Sequence, residues 1–306
     1  MKRGTPFRDS DGMLWSHPSV HALMKLAGAD EKPTDVIRRR CREMVTDAKA
    51  QGWSGPPFDP VILASINDIE VEAVDTGIKS DARIFPQEDG RLLIQYVSTV
   101  SPERQRFSIS HELSHTRFPD CYEEVRYRHR RGKLDQRHQQ LERLCNLGAA
   151  EILIPYDDVA PMIRNRRVSM QLADELRTAY ASSIEAMLYR LVDLSDQACA
   201  VVFMSKRFKP REERATWEFD LGFEKPQAKF RIDYCRNSKR FTSYLPPHKS
   251  APERSVVNKA TDDVFPSAVE DWEIKGLGRV FVQAAVLPLI ADDPSERVAA
   301  LFTSTQ

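Results

Sequence analysis

Residues 106–119 read RFSISHELSHTRFP and hold two histidines, His111 and His115, four positions apart, with Glu112 directly after the first. Upstream, Ser101 is followed by proline and glutamate, which is typical of the start of a helix. Positions four apart lie on one face of an α-helix, so both imidazoles can reach one metal ion. The pattern H-E-x-x-H therefore predicts two zinc ligands and a general base, Glu112. A pair of solvated histidines on a surface helix is the alternative.

A zinc peptidase also needs a third protein ligand and one open coordination position. Glu142 is the best candidate, because it lies in LERLCNLGAAEILIP (141–155), whose apolar positions predict a second helix. Asn146 follows one turn later on the same face, and we expect it to hydrogen-bond a ligand from behind. The alternatives are a surface position for Glu142 and, for the third ligand, Cys121 six residues after His115.

These two segments together resemble the ImmA/IrrE family of zinc metallopeptidases. In that family an arginine-phenylalanine pair leads into HELGH, and a later helix reads E-x-x-A-N-x-F-A-A-E-L-L-M-P. Arg106 and Phe107 supply the lead here, and the resemblance covers roughly residues 35–195. Seven residues match the second motif: Glu142, Asn146, Ala149, Ala150, Glu151, Leu153 and Pro155.

Three residues depart from the family pattern. Ser114 replaces the glycine of the first motif, and Cys145 and Gly148 replace the alanine and the phenylalanine of the second. None of these changes removes an expected ligand. We therefore expect them to alter helix packing and pocket shape while the metal site is retained.

The resemblance implies a zinc-dependent endopeptidase with one Zn²⁺ per chain, held by His111, His115 and Glu142. The metal would lower the pKa of a bound water towards about 7, and Glu112 would take its proton and pass it to the leaving amine. The implied substrate is a protein partner, a helix-turn-helix transcriptional repressor, whose cleavage switches on stress-response or mobile-element and defence genes.

Two other functions are open at this point. One is a metal-containing regulator or sensor that binds nucleic acid or a partner with little proteolytic turnover. The other is a structural zinc site, which four protein ligands would close. Glu112 argues against the structural site, because such a site has no use for a general base.

The sequence also offers candidates for substrate binding. RLLIQYVST (91–99) predicts a strand that can accept the substrate backbone as an added strand, which makes Tyr96 a candidate. RYRHRRGKLDQR (126–137) holds six basic residues against one aspartate and predicts a cleft rim that attracts an acidic partner or nucleic acid. A solvated loop is the alternative for its arginines Arg126, Arg128, Arg130 and Arg131. The oxyanion donor is not identified, and its candidates are Tyr122, Tyr127, His129 and His138.

Local patterns predict further elements. PVILASIN (60–67) is typical of a short helix and IEVEAVD (69–75) alternates like a strand. We expect the H-E-x-x-H helix to run from Ser101 to Pro119 and the glutamate helix from about Asp135 to Ile154. Residues 168–194 predict two helices hinged near Ala181.

The order of these elements predicts an α+β fold in four parts. Residues 1–32 are polar and predict a loosely attached N-terminal arm, and residues 33–160 form the peptidase domain, zincin-like by the resemblance, with a small sheet, an active-site helix and a glutamate helix. Residues 161–197 predict a helical hairpin, either helix-turn-helix-like or an ordinary αα-hairpin. Residues 198–306 contain β-like runs such as ACAVVFM and predict an α/β domain. The resemblance implies a GAF-like sensor there, and a scaffold for substrate docking is the alternative.

Bulk composition limits the class of protein. The chain is 41% hydrophobic and 29% charged, as expected for a globular protein, and its 45 basic residues balance its 45 acidic residues. Its five cysteines are scattered without a C-x-x-C pair, which argues against a disulfide framework and fits a reducing compartment. We find neither a secretory signal nor the roughly 20 consecutive apolar residues that a membrane helix needs. The sequence thus predicts a cytoplasmic protein without a membrane partner.

Overall fold

The computed structural model describes residues 5–78, 80–123, 137–209, 227–262, 264–289 and 294–305. The chain divides into two compact units. One consists of Met1–Val159 with Ala179–Ser183, and the other of Ala160–Thr178 with Ile184–Gln306. Helices and sheets occur in both units, so the predicted α+β class is confirmed.

The first unit begins with ordered structure where the sequence predicted an irregular arm. Strands β1 (Phe7–Arg8) and β2 (Leu14–Trp15) pair antiparallel, and helices α1 (Pro18–Met24) and α2 (Pro33–Ala50) follow. Trp15 and Leu23 are fully buried. The prediction of a loosely attached arm was wrong for residues 7–24, because Trp15, Val20 and Leu23 are buried inside the first unit.

A three-stranded sheet follows helix α3 (Pro60–Ile66). Its strands β3 (Ile69–Val74), β4 (Ala82–Pro86) and β5 (Leu92–Val97) are arranged in the order β3-β5-β4. Strand β5 pairs parallel with β3 and antiparallel with β4. Both edges of β5 are therefore occupied, and the prediction that this strand accepts a substrate backbone was wrong. The open edges of this sheet, among the residues described, belong to β3 and β4.

Helix α4 (Pro102–His115) carries the H-E-x-x-H segment and packs against α5 (His138–Leu153). The Ser101 side chain caps α4 by accepting a hydrogen bond from the Arg104 backbone N–H, as the sequence predicted. The helix ends at His115 and not at Pro119. A short helix, α6 (Tyr156–Ile163), follows α5. The α4–α5 pair holds every candidate metal ligand that the sequence nominated, apart from Cys121.

The second unit contains a five-stranded antiparallel sheet in the order β7-β6-β10-β9-β8. Its strands are β6 (Cys199–Arg207), β7 (Lys229–Asn237), β8 (Ser267–Asp271), β9 (Arg279–Leu287) and β10 (Arg297–Thr303). Trp272 and Phe302 are fully buried in its core, with their rings 4.8 Å apart. This β-rich C-terminal part agrees with the three-part architecture that the resemblance implied.

The predicted helical hairpin consists of α7 (Met170–Tyr180) and α8 (Ile184–Leu194). Helix α8 packs on β6 and β7, where the Tyr189 ring stacks on Phe203, and every residue of α8 is at least partly buried. A recognition helix has to present a face to the DNA groove. The helix-turn-helix interpretation thus receives no support from α8 as it is packed.

No helix in the described part of the chain has the length and apolar character to cross a membrane.

Candidate metal centre

The two histidines of α4 have their rings 5.1 Å apart. The His111 side chain is 13% exposed and the His115 side chain 2% exposed, so both imidazoles are largely buried. Glu112, between them in sequence, is 4% exposed. Helical spacing therefore brings the imidazoles together as the sequence predicted, at a site that is partly screened from solvent.

The Glu142 carboxylate of α5 faces this pair. Its Oε2 lies 3.0 Å from His111 Nε2, and its Oε1 lies 3.8 Å from His115 Nε2. The side chain of Glu142 is 29% exposed. Helix α5 thus places one carboxylate beside two imidazoles of α4. The carboxylate faces the same nitrogen, Nε2, of both.

The other nitrogen of each imidazole contacts α5. His111 Nδ1 lies 2.9 Å from Asn146 Oδ1, and His115 Nδ1 lies 3.3 Å from Cys145 Sγ. An amide oxygen accepts, so His111 donates to Asn146 through Nδ1, and Nε2 is the nitrogen that faces Glu142 and can bind a metal ion. Asn146 therefore contacts His111 through the nitrogen that does not face Glu142, and its supporting role for a metal ligand stays a prediction. Cys145 is a supporting contact that the sequence reasoning did not find.

Cys145 raises a competing donor set. Ligand atoms of His111, His115 and Cys145 lie within 4.8 Å of one another. The Cys145 thiol, however, is fully buried and lies on the Nδ1 side of His115, whereas Glu142 lies on the Nε2 side. We favour the set with Glu142, because its carboxylate faces Nε2 of both histidines and is partly open to solvent.

The electrostatics of the pair follow from the same contacts. Burial lowers the pKa of His111, but the hydrogen bond with Glu142, the charges of Glu112 and Glu142 and the hydrogen bond with Asn146 outweigh it and raise the pKa above its ordinary value. The carboxylates of Glu112 and Glu142 thus give the site a negative electrostatic field. Such a field favours a bound cation.

Helices α4 and α5 approach each other closely beside the site. A Cβ atom added to Gly148 would lie 2.6 Å from Ser114 Cβ and 2.9 Å from Cys41 Sγ. The Ser114 hydroxyl donates to the backbone carbonyl oxygens of His111 and Cys145, at 2.8 and 2.9 Å. Two of the departures from the family pattern therefore compensate each other. The serine takes the place of a glycine on α4, and a glycine on α5 makes room for it.

The remaining sequence candidates lie elsewhere. Tyr96 is partly buried in the central strand β5, with its backbone paired on both sides, and so has no open edge for substrate. Cys121 is buried and, among the described residues, does not belong to the cluster of potential metal donors. Tyr122 is 48% exposed. Arg126, Arg128, Arg130 and Arg131, with Tyr127 and His129, lie outside the described residues.

His138 contributes a third imidazole. Its Nε2 lies 2.7 Å from Glu142 Oε1, and the residue is 6% exposed. The sequence reasoning treated His138 only as one of several oxyanion candidates. The spacing along the chain could have predicted its contact with Glu142, because a histidine four residues before Glu142 lies on the same helical face.

The donor set fits a metal ion by its chemistry. Two imidazole nitrogens and one carboxylate oxygen are the protein ligands of many catalytic zinc sites, in which a fourth position stays open. Asn146 behind His111 supplies the outer hydrogen bond that metal-ligating histidines usually make. His111, His115 and Glu142 are accordingly the residues able to hold the ion.

Comparison with known proteins places this site in a recognised domain. Residues 68–192 match the family model described as the IrrE N-terminal-like domain. The chain is 27% identical over 164 residues to the radiation response metalloprotease IrrE of Deinococcus radiodurans, covering 53% of this chain and 48% of that protein. It is 35% identical over 97 residues to the protein of the same name from Deinococcus deserti, covering 31% of this chain and 34% of that protein.

The chain thus aligns with about half or less of the length of these curated relatives. A solved structure of a Mycobacterium tuberculosis transcriptional regulator has a similar fold, with a TM-score of 0.56 at 15% identity, over 88% of this chain and 75% of that one. The IrrE N-terminal-like match contains α4, α5 and all three candidate ligands. Residues 68–192 thus match the IrrE N-terminal-like domain, which supports the assignment of the chain to the ImmA/IrrE family.

Proposed function

We propose that this protein is a zinc-dependent endopeptidase that cleaves a protein partner. The observation that carries the proposal is the convergence of His111 Nε2, His115 Nε2 and the Glu142 carboxylate from two helices, at distances of 3.0 and 3.8 Å. The match of residues 68–192 to the IrrE N-terminal-like domain supports the same activity, and so does the similarity to the metalloprotease IrrE.

The chemistry divides between the metal and this chain's own residues. When bound, a zinc ion supplies Lewis acidity and lowers the pKa of a bound water towards about 7. His111 and His115 would hold the ion through Nε2, because Asn146 and Cys145 contact their Nδ1 atoms. Glu112 would accept the water proton and later deliver it to the amine of the cleaved peptide bond.

Strand β4 is the better candidate for holding an extended substrate. It is an edge strand of the first sheet and packs against α4, whereas β5 is paired on both sides. An edge strand can form backbone hydrogen bonds with an added peptide strand. A protein segment paired with β4 would thus run beside the helix that carries Glu112.

The identity of the partner rests on the family resemblance. We propose a helix-turn-helix transcriptional repressor, whose removal by cleavage would switch on stress-response or mobile-element and defence genes. Both relatives are named radiation response metalloproteases, which supports a stress-related role. We place the activity in the cytoplasm, where such a repressor would be found.

The decisive experiment uses the protein with its metal bound and the protein encoded by the adjacent reading frame as substrate. We expect cleavage that a chelator abolishes and added Zn²⁺ restores. Glu112→Gln should lose cleavage by several orders of magnitude while its zinc content stays equal to that of the wild type. Glu103→Gln, an exposed carboxylate on the same helix, is the matched control and should remain active. A fully active Glu112→Gln variant would refute the mechanism.

The alternative of a regulator with little turnover makes a different prediction. Such a protein would bind nucleic acid in a salt-sensitive manner, and this binding would be indifferent to Glu112→Gln. The burial of α8 removes the most obvious helix for such contacts. We therefore keep the endopeptidase as the function.

A further inference from the structure

The contact between His138 and Glu142 links the candidate metal centre to the N-terminal segment, defined here as residues 14–19. His138 is the first residue of α5, and its Nε2 lies 2.7 Å from Glu142 Oε1 on the next turn. The other carboxylate oxygen, Oε2, lies 3.0 Å from His111 Nε2. The Glu142 carboxylate thus lies between two imidazoles.

The His138 ring is in turn packed against the N-terminal segment. The His17 ring meets it edge to face, with centroids 5.8 Å apart and planes inclined by 64°. His17 is itself fixed, because its Nδ1 accepts a hydrogen bond from the Ser19 backbone N–H at the start of α1. Ser19 Oγ also donates to Asp120 Oδ2 at 3.0 Å. These contacts anchor His17 and the start of α1.

Gln140 attaches the same segment to the first turn of α5. Its Oε1 accepts hydrogen bonds from the backbone N–H groups of Ser16 and His17, at 2.8 and 3.0 Å. Its Nε2 donates to the Leu14 carbonyl oxygen at 2.9 Å. Trp15, between these anchor points, is fully buried. The N-terminal segment is therefore fixed two residues away from Glu142, although it lies outside the family match at residues 68–192.

We propose that His138 is a positioning residue that orients the Glu142 carboxylate towards His111 and His115, and that His17 of the N-terminal segment holds the His138 ring in place. This inference rests on the proposed metal centre. A glutamate side chain has several rotatable bonds, and ordering it costs conformational entropy on metal binding. A side chain that is already oriented avoids part of that cost.

The first test measures metal affinity and needs no substrate. We expect His138→Leu, which keeps an apolar body and removes the nitrogen, to weaken Zn²⁺ binding by about 10–100-fold in competition with a chromophoric chelator. His138→Gln, which returns an N–H donor at a similar reach, should recover most of that affinity. His21→Leu is the matched control, because His21 packs on Phe7 in the same part of the chain. It should bind Zn²⁺ like the wild type.

The second test separates the two functions of His17. His17→Phe keeps a ring against His138 but loses the cap of α1, whereas His17→Asn keeps a capping group but loses the ring. If ring packing supports the metal centre, His17→Asn weakens Zn²⁺ binding several-fold and His17→Phe does not. The opposite order would assign the N-terminal segment a purely structural role and overturn the role of His17.

A spectroscopic readout distinguishes positioning from general loss of stability. Substituted Co²⁺ reports ligand geometry through its visible absorption, and we expect His138→Leu to shift that spectrum while urea unfolding of the metal-free protein changes little. Unchanged Zn²⁺ affinity and an unchanged Co²⁺ spectrum in His138→Leu would overturn the inference and leave the endopeptidase proposal intact. A wild-type protein that binds neither metal would overturn both. Metal binding without cleavage of any partner would overturn the endopeptidase proposal alone.

Discussion

Gly148→Ala is the most informative substitution outside the candidate ligands. The new Cβ atom would lie 2.6 Å from Ser114 Cβ and 2.9 Å from Cys41 Sγ. Ordinary contact begins at 3.4 Å, so α4 and α5 have to separate locally by about 0.8 Å (3.4 minus 2.6). Because α4 carries His111 and His115 while α5 carries Glu142, this separation acts directly on the candidate metal centre.

Two opposing energies determine the effect on folding. Alanine stabilises a helix over glycine by about 0.5–1 kcal/mol, whereas overpacking in a closely packed interface costs about 1–3 kcal/mol. We therefore expect a net loss of about 1 kcal/mol in the free energy of unfolding of the metal-free protein. Metal–ligand distances tolerate only about 0.2 Å, so Zn²⁺ affinity should fall about tenfold or more.

The assay is a double-mutant cycle with Ser114→Gly, measured by urea unfolding and by chelator competition. Ser114→Gly removes the nearer obstacle, so Ser114→Gly with Gly148→Ala should recover part of the affinity lost in Gly148→Ala alone. Recovery is expected to be incomplete, because Cys41 Sγ is still 2.9 Å from the added Cβ. If Gly148→Ala proves as stable as the wild type and binds Zn²⁺ equally well, the close approach of the two helices is not what sets the ligand geometry.

Two further predictions concern a hydrogen bond and an ion pair. Asn146→Leu should weaken Zn²⁺ binding by about 10–100-fold, because His111 Nδ1 loses its 2.9 Å partner. Exposed Gln139→Leu on the same helix is its control, and equal affinities in the two variants would contradict the supporting role of Asn146. In the N-terminal part, hydrogen bonds from the Arg39 guanidinium and the Gly28 backbone N–H lower the pKa of Glu31 to about 2. A lowered pKa in the folded state stabilises the fold above the ordinary value of 4.5 and loses its effect as the pH falls towards 2. Glu31→Gln should therefore cost about 0.5 kcal/mol near neutral pH, a value discounted for solvent screening, and progressively less below about pH 4.5. Urea unfolding of both proteins over this range measures the difference, and a cost independent of pH would exclude the ion pair as its cause.

Much of the local structure could be predicted from the sequence. The serine cap and the following proline predicted where α4 begins, and the alternation in IEVEAVD predicted β3 (Ile69–Val74). The hairpin of α7 and α8 was also predicted, including its break at Ala181, which has a φ of 46°. Such signals lie within one or two helical turns, so neighbouring residues are sufficient to encode them.

The arrangement of the sheet could not be predicted in the same way. The segment 91–99 was correctly predicted as a strand, but its central position between β3 and β4 was missed, because β4 had not been predicted at all. A strand's neighbours are chosen by packing across the whole unit and not by its own alternation of side chains. The segment around the buried Trp15 is likewise joined to a residue more than 100 positions later, because Gln140 Nε2 donates to the Leu14 carbonyl oxygen.

By itself, the sequence determined that His111 and His115 share one face of a helix, with Glu112 directly after the first, and that a second helix offers Glu142 with Asn146 one turn later. Helical periodicity fixes those relations, because it depends only on spacing along the chain. Only the tertiary structure decided that Glu142 faces Nε2 of both imidazoles, that Gly148 admits Ser114, and that His138 joins the carboxylate. Those relations join residues on different helices, or depend on which of several rotamers the packing of α4, α5 and the N-terminal segment allows.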